Sequence, residues 1–405
     1  MVFNLQNPMK LKRRWKWRLK KVFLWVFILF IFIFKYLWPF SINLKDPLVL
    51  DIPKCPACFG ENLCPQFLKG NIVLTNWTRI TLLSKMFNAK NTYFGRYQDV
   101  PVILKKLAHN HELDSLDKKL CKILEKNSGC ENVGTNIRMI ANLWTTPVPN
   151  SNLDYHKVKS NTPEEIETFQ CVKSQEMVDF LMKRTLTYLI KHEHFLFMAF
   201  INPEPLIAMA FPAAENWPFP EYYGACGRFS VFEDVGKSLN SYISSSWSKR
   251  ARLALQVLQI ALKFTFNDPI GLYLTDWNLD NFAVSENLQV KLIDLENIIL
   301  VNRTMIKITK APGWNVDHHS VAFGCEKEDC FSYSVEDICS HYVSDHNVFG
   351  ACFGVIKPLL QKYVPDEIRA THPLLERLII ECTWPSNPGG RLEAAKQLID
   401  ILKQI

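Results

Sequence analysis

Two short strand-like runs, the apolar Phe282–Val284 and Val290–Ile293 with Lys291 within it, lie between three polar residues, with Asp276 and Asn281 before them and Asp294 directly after. Ser285 to Asn287 supplies a turn between the runs, so the segment reads as a hairpin of two buried strands. A hairpin returns its end to its beginning, and here that brings Asp294 back beside Asn281, where a carboxylate and a carboxamide can share one metal ion. An isolated Asp in a loop usually does no more than cap a turn. Asp276, Asn281 and Asp294 framing one apolar hairpin ask for a core around them and a ligand between them.

The chain has 405 residues, 48% of them hydrophobic and 12% aromatic, enough for one large core or two packed lobes. A formal net charge of +7 would suggest nucleic acid, but residues 1–21 hold Lys10, Lys12, Arg13, Arg14, Lys16, Arg18, Lys20 and Lys21 and no acid. The rest is close to neutral, and no nucleic-acid partner is expected. Val22 to Phe34 is unbroken apolar sequence, and with Lys35 snorkelling the span extends over residues 22–40, close to the ~20 residues that cross a bilayer. Basic residues on its amino-terminal side predict a signal anchor with the bulk of the chain in the lumen. A cleaved signal peptide is the alternative, though bulky residues follow where a cleavage site would need small ones.

Twelve cysteines and the sequons at Asn76 and Asn302 fit that compartment, the cysteines as a disulfide framework. Cys55, Cys58 and Cys64 could belong to a zinc site, but no second C-x-x-C or His pair follows at finger spacing. The pairs His109/His111, His192/His194 and His318/His319 lack a carboxylate at ligand spacing and read as surface histidines.

Behind the anchor, residues 41–81 read as a Cys-containing stem or cap. NTYFGRYQDVPVILKKL from Asn91 reads as a hairpin whose second strand ends on Lys105. Helices are expected over 109–127, from about Pro163 to Lys191, and over 249–266, with strands near Leu206–Phe211 and Phe229–Val235. From 336 onward the chain is mainly helical. The order predicts an α+β fold of two lobes, a small β-rich lobe over 82–232 and a larger helical lobe over 233–405, with the boundary near Glu233 to Ser238.

Phosphoryl transfer from a nucleotide needs metal ligands, a lysine on the phosphates and a carboxylate near the attacking hydroxyl. Asp276 with Asn281 five residues on matches the kinase pattern H-R-D-x-x-x-x-N, and Lys105 in VILKK matches V-A-I-K. With KCPACFG (54–60), NPEPL (202–206), YYGACGR (222–228), LDNFAV (279–284) and DHN (345–347), the chain resembles the divergent protein kinase domain family. Within that family it resembles the "deleted in autism" branch, divergent protein kinase domain 2. The resemblance implies a bilobal protein-kinase-like fold, residence in the Golgi as a type II membrane protein, and release as an extracellular growth or survival factor acting through a cell-surface receptor. It implies ATP with Mg²⁺ or Mn²⁺ as cofactor, Asp276 as catalytic residue, Lys105 on the phosphates, and Asn281 and Asp294 on the metal. By the wider kinase pattern Asp345 resembles the aspartate that anchors the catalytic loop, and Arg391 the structural arginine of the closing helices.

The sequence also departs from the pattern. Leu274-Thr275 replaces His-Arg, Asn278 stands where a lysine is common, and D-F-G becomes Asp294-Leu295-Glu296. No G-x-G-x-x-G occurs, Gly95 being the only glycine in the expected loop, and no A-P-E follows. Glu112, Glu125 and Glu176 are the candidates for the glutamate that pairs with Lys105. Two functions follow: a luminal kinase acting on a secreted protein or glycan hydroxyl, or a pseudokinase serving as scaffold or secreted signal.

Overall fold

The computed structural model describes residues 20–32, 42–75, 91–124, 132–145, 171, 175–188, 190–321, 332–361, 364–387 and 389–405. Residues 20–32 form a helix with its apolar side chains exposed, and residues 33–40 of the expected span lie outside the described residues. Among the described residues no helix is long and apolar enough to cross a membrane.

Five antiparallel strands, β1 (Ile72–Leu74), β2 (Thr92–Tyr97), β3 (Val100–Lys106), β4 (Tyr222–Cys226) and β5 (Phe229–Glu233), make one sheet in the order β1-β2-β3-β5-β4. The β2–β3 hairpin expected from the sequence turns on Gln98 and Asp99, both at positive φ (48° and 66°), the backbone a two-residue turn needs to match strand twist. Alternation then sorts β3: Val102 and Leu104 are fully buried on one face, which leaves Ile103 and Lys105 on the other.

The outer face is covered by the segment that reads in sequence as a stem. Leu44, Leu50, Phe67 and Ile72 share a core with Val102, Leu104, Phe229 and Val231, and the same segment supplies edge strand β1. The Cys64–Cys226 disulfide and a buried ion pair fasten it. Arg228 donates to Asp51 Oδ2 from Nε (2.9 Å) and Nη2 (2.7 Å), and Lys106 Nζ lies 3.0 Å from the same oxygen. Cys55–Cys58, Cys171–Cys339 and Cys352–Cys382 are also bridged, and no described cysteine is free. Cys55, Cys58 and Cys64 are all bridged, as the disulfide reading of these cysteines expects.

The other face packs against helices. Asn110–Ile123 buries Leu113, Leu116 and Leu120 as its spacing predicts. The long helix expected up to Lys191 is instead Gln175–Thr185 and, after a break, His192–Ile201; residues 163–170 lie outside the described set. The expected strand at Leu206–Phe211 is a helix, Glu204–Ala210, in which every residue is buried.

In the larger lobe the central helix Trp247–Phe266 packs on His346–Ala351 and Gly390–Leu402. Two small sheets complete the larger lobe: β7 (Ile270–Leu274) with β10 (Ile298–Asn302), and β8 (Phe282–Val284) between β6 (Lys237–Ser238) and β9 (Val290–Leu292). Trp277, just after Asp276, is seated over Gly350 and Gly354, where an added Cβ would overlap its ring and its backbone.

Candidate active site

A cleft of about 430 Å³ opens between the five-stranded sheet and the larger lobe, within the range of small-molecule sites. Ile103, Lys105 and Phe232 wall one side, the connection Glu233–Gly236 closes the back, and Asn281, Ala283 and Asp294 form the floor. Sequence and structure therefore bring Lys105, Asn281 and Asp294 to one cavity.

Lys105 Nζ makes an ion pair with Glu204 Oε1 at 2.5 Å and donates to the carbonyl of Ile293, the residue before Asp294, at 2.7 Å. The glutamate partner is thus none of those expected. Glu112 instead accepts a hydrogen bond from the His109 backbone at the start of its own helix, while Glu125 and the side chain of Glu176 lie outside the described residues. Glu204 is fully buried, and desolvation, opposed by Lys105, pushes its carboxyl up to about 7. The sequence signal was N-P-E-P: a proline on either side of Glu204 marks a helix start rather than a strand.

The loop from Asp276 to Asn281 is held by carboxamides. Asn278 Oδ1 accepts from the N–H groups of Asp280 (2.9 Å) and Asn281 (3.1 Å), while its Nδ2 donates to Asp276 Oδ1 at 2.8 Å. Asn281 Nδ2 donates to Asp276 Oδ2 (2.9 Å) and to its carbonyl (3.0 Å). Strands β8 and β9 pair in register, and the Ile293 N–H closes on the Asn281 carbonyl at 2.8 Å, which sets Asp294 beside Asn281. Asn281 Oδ1 is left buried with no hydrogen-bond partner among the described residues. A buried acceptor without a donor, next to a carboxylate, offers two oxygen ligands of the kind a hard divalent cation takes, so these residues fit part of the shell of Mg²⁺ or Mn²⁺.

Support for the loop comes from below. Asn347 Oδ1 accepts from the Leu274 N–H (3.0 Å), its Nδ2 donates to the Leu272 carbonyl (2.7 Å), and His346 Nε2 lies 2.8 Å from the Leu274 carbonyl. Burial lowers the His346 pKa to about 4, so the ring is neutral and donates there. Asp345, expected in this anchoring role, turns away: it accepts from the Ser320 N–H at 2.7 Å and pairs with buried Arg391 at 2.5 Å. The asparagine two residues later takes its place because it can both donate to and accept from strand β7.

Two further expectations change, those for Gly95 and His194. Gly95 lies inside β2, its Cα facing Leu104 and the Val73 carbonyl; the β1–β2 connection runs over 75–91, of which 76–90, including Asn76, lie outside the described residues. His194 is buried rather than on the surface, and burial lowers its pKa. The Asn302 side chain accepts from the Met305 N–H as a helix cap.

Residues 196–385 match the family model described as the protein-kinase domain of FAM69, a span that includes Glu204, Asp276, Asn281 and Asp294 but not Lys105. The chain is 34% identical to Divergent protein kinase domain 2A of Xenopus tropicalis, and also to that of Homo sapiens, with 89% of each chain covered. Divergent protein kinase domain 2B of Mus musculus is 23% identical over 79% of this chain and 75% of its own.

Proposed function

This chain belongs to the divergent protein kinase domain family, and from that premise we propose that its cleft binds ATP with Mg²⁺ or Mn²⁺ and transfers the γ-phosphoryl group to a hydroxyl of a secreted protein or glycan. The observation that carries the reading is Asn281 Oδ1, buried with no hydrogen-bond partner among the described residues and beside Asp294, with Lys105, paired to Glu204, on the same cavity. Asn281 and Asp294 would hold the cation, which neutralises phosphate charge. Lys105, kept in place by Glu204, positions the α- and β-phosphates. Asp276, oriented by Asn278 and Asn281, takes the proton as the acceptor oxygen bonds to the γ-phosphorus and the bond to the β-phosphate oxygen breaks, releasing ADP.

We place this chemistry in the Golgi lumen, with residues 22–40 as a type II membrane anchor; the basic flank and the bridged cysteines support it. Endoglycosidase digestion of the protein from secretory cells should lower its mass through Asn76 and Asn302, and an unchanged mass would count against luminal exposure of a used site.

A second reading, a pseudokinase acting as scaffold or secreted factor, draws on Asn278. Its side chain is committed to Asp276 and to the loop N–H groups, so no cation reaches the γ-phosphate from that position. Thermal shift of the purified luminal region with ATP and Mg²⁺ or Mn²⁺ separates the two. A metal-dependent rise in melting temperature that Asp294→Ala abolishes supports nucleotide binding, and no rise in the wild-type protein refutes it. Phosphotransfer to secreted acceptors that survived Asp276→Ala would remove Asp276 from its role.

A further inference from the structure

Glu296 stands where the glycine of D-F-G would be, and its carboxylate accepts a 2.7 Å hydrogen bond from Asn202 Nδ2. Asn202 Oδ1 in turn accepts from the Glu204 N–H at 3.0 Å, in the first turn of the helix whose carboxylate holds Lys105. One carboxamide thus bridges the segment that carries Asp294 and the helix that carries Glu204. Asn202 is buried, and its bond to the Glu204 N–H is shielded from water, while the bond to Glu296 is part-buried. Leu295, between Asp294 and Glu296, is also fully buried, which pins the middle of this segment.

A glycine at position 296 would let this segment pivot, since glycine has the least restricted backbone. A carboxylate bonded across to a neighbouring element removes that freedom. It does so against partial burial and the negative charge of Asp294, with Lys105 and the hydrogen bond from Asn202 on the favourable side.

We propose that Asn202 and Glu296 are positioning residues, a latch that keeps Asp294 and the Lys105–Glu204 pair in mutual register before any ligand arrives. The site then stands assembled without modification of the segment that follows Asp294. The purpose of the latch rests on the nucleotide reading above; its existence does not.

The test exchanges donor and acceptor. In Asn202→Asp the new carboxylate still accepts from the Glu204 N–H but faces Glu296 with like charge. In the double variant Asn202→Asp with Glu296→Gln, the amide at 296 donates to the carboxylate at 202, which restores the bond with its direction reversed. Amide hydrogen exchange in ligand-free protein at residues 204–210 and 293–297 is the first readout. Affinity for ATP with Mg²⁺ is the second. Asn202→Asp should speed exchange at both segments and weaken affinity about tenfold, and the double variant should recover both most of the way. Glu296→Ala should behave as Asn202→Asp does. The latch is overturned if the double variant is no better than Asn202→Asp, or if Glu296→Ala exchanges like the wild type. Should the wild type bind no nucleotide, that reading fails, and the exchange comparison alone decides the latch.

Discussion

Replacing Glu204 by glutamine should change how the stability of the protein depends on pH, with a calculable sign. The Glu204 carboxyl has its folded pKa raised from 4.5 to about 7, because full burial outweighs the attraction of Lys105. Between those values the native state holds a proton that the unfolded chain has lost, so stability falls as pH rises through the window. Below it the carboxyl is protonated in both states and the penalty is absent; above it the penalty is complete. At about 1.4 kcal/mol per pKa unit, the shift amounts to about 3 kcal/mol at neutral pH. Glutamine fills the same space and does not titrate. Urea unfolding of both proteins from about pH 4 to about pH 8 should therefore show the wild type losing about 3 kcal/mol relative to Glu204→Gln. Taking the difference cancels the titrating groups that do not interact with Glu204, which leaves Lys105, Asp294 and Glu296 as its coupled neighbours. Parallel curves would refute the burial argument, and a difference of opposite sign would mean that Lys105 dominates and the folded pKa lies below 4.5.

Asp51→Asn should cost about 3–5 kcal/mol in chemical denaturation, since it strips the charge partner from buried Arg228. Burial raises the Asp51 pKa, but hydrogen bonds from Arg228 and Lys106 outweigh it and the net shift is downward. Its stabilisation is therefore present above the unfolded value of 3.8 and lost as pH falls through the folded one, so the two proteins should converge in acid. Gly354→Ala should destabilise by about 1–3 kcal/mol, because the methyl meets the Trp277 backbone, and nucleotide affinity should fall with it as Asp276 shifts.

What could be read in advance followed the range of the forces involved. The β2–β3 hairpin, the helix over 247–266 and the strands around Asn281 were legible because their patterns are local: alternation, a one-sided apolar stripe, a turn. The helix Glu204–Ala210 was not. All seven of its residues are buried, so it has no polar face, and a short run of uniform apolar residues looks the same whether it folds as strand or helix. Missing that helix also meant missing Glu204, which reaches Lys105 across 99 positions of sequence. The exchange of Asp345 for Asn347 had a different cause. Both residues are fully buried polar groups in one tripeptide, and only the positions of the Leu272 carbonyl and the Leu274 N–H decide that the group between them must donate as well as accept.

The disulfide between Cys171 and Cys339 joins the segment just before the helix Gln175–Thr185, on the smaller-lobe side of the chain, to the helix Val335–Ser340 of the larger lobe. The polypeptide already crosses once between the lobes, at Glu233 to Ser238, and the disulfide makes a second covalent crossing. Chain and bridge together form a closed ring through both halves of the molecule. A body tied at one point can swing open in many directions, whereas one tied at two can only rock about the line between them. The second tie limits how far the two halves can separate around the cleft, through a bond that persists only in an oxidising environment.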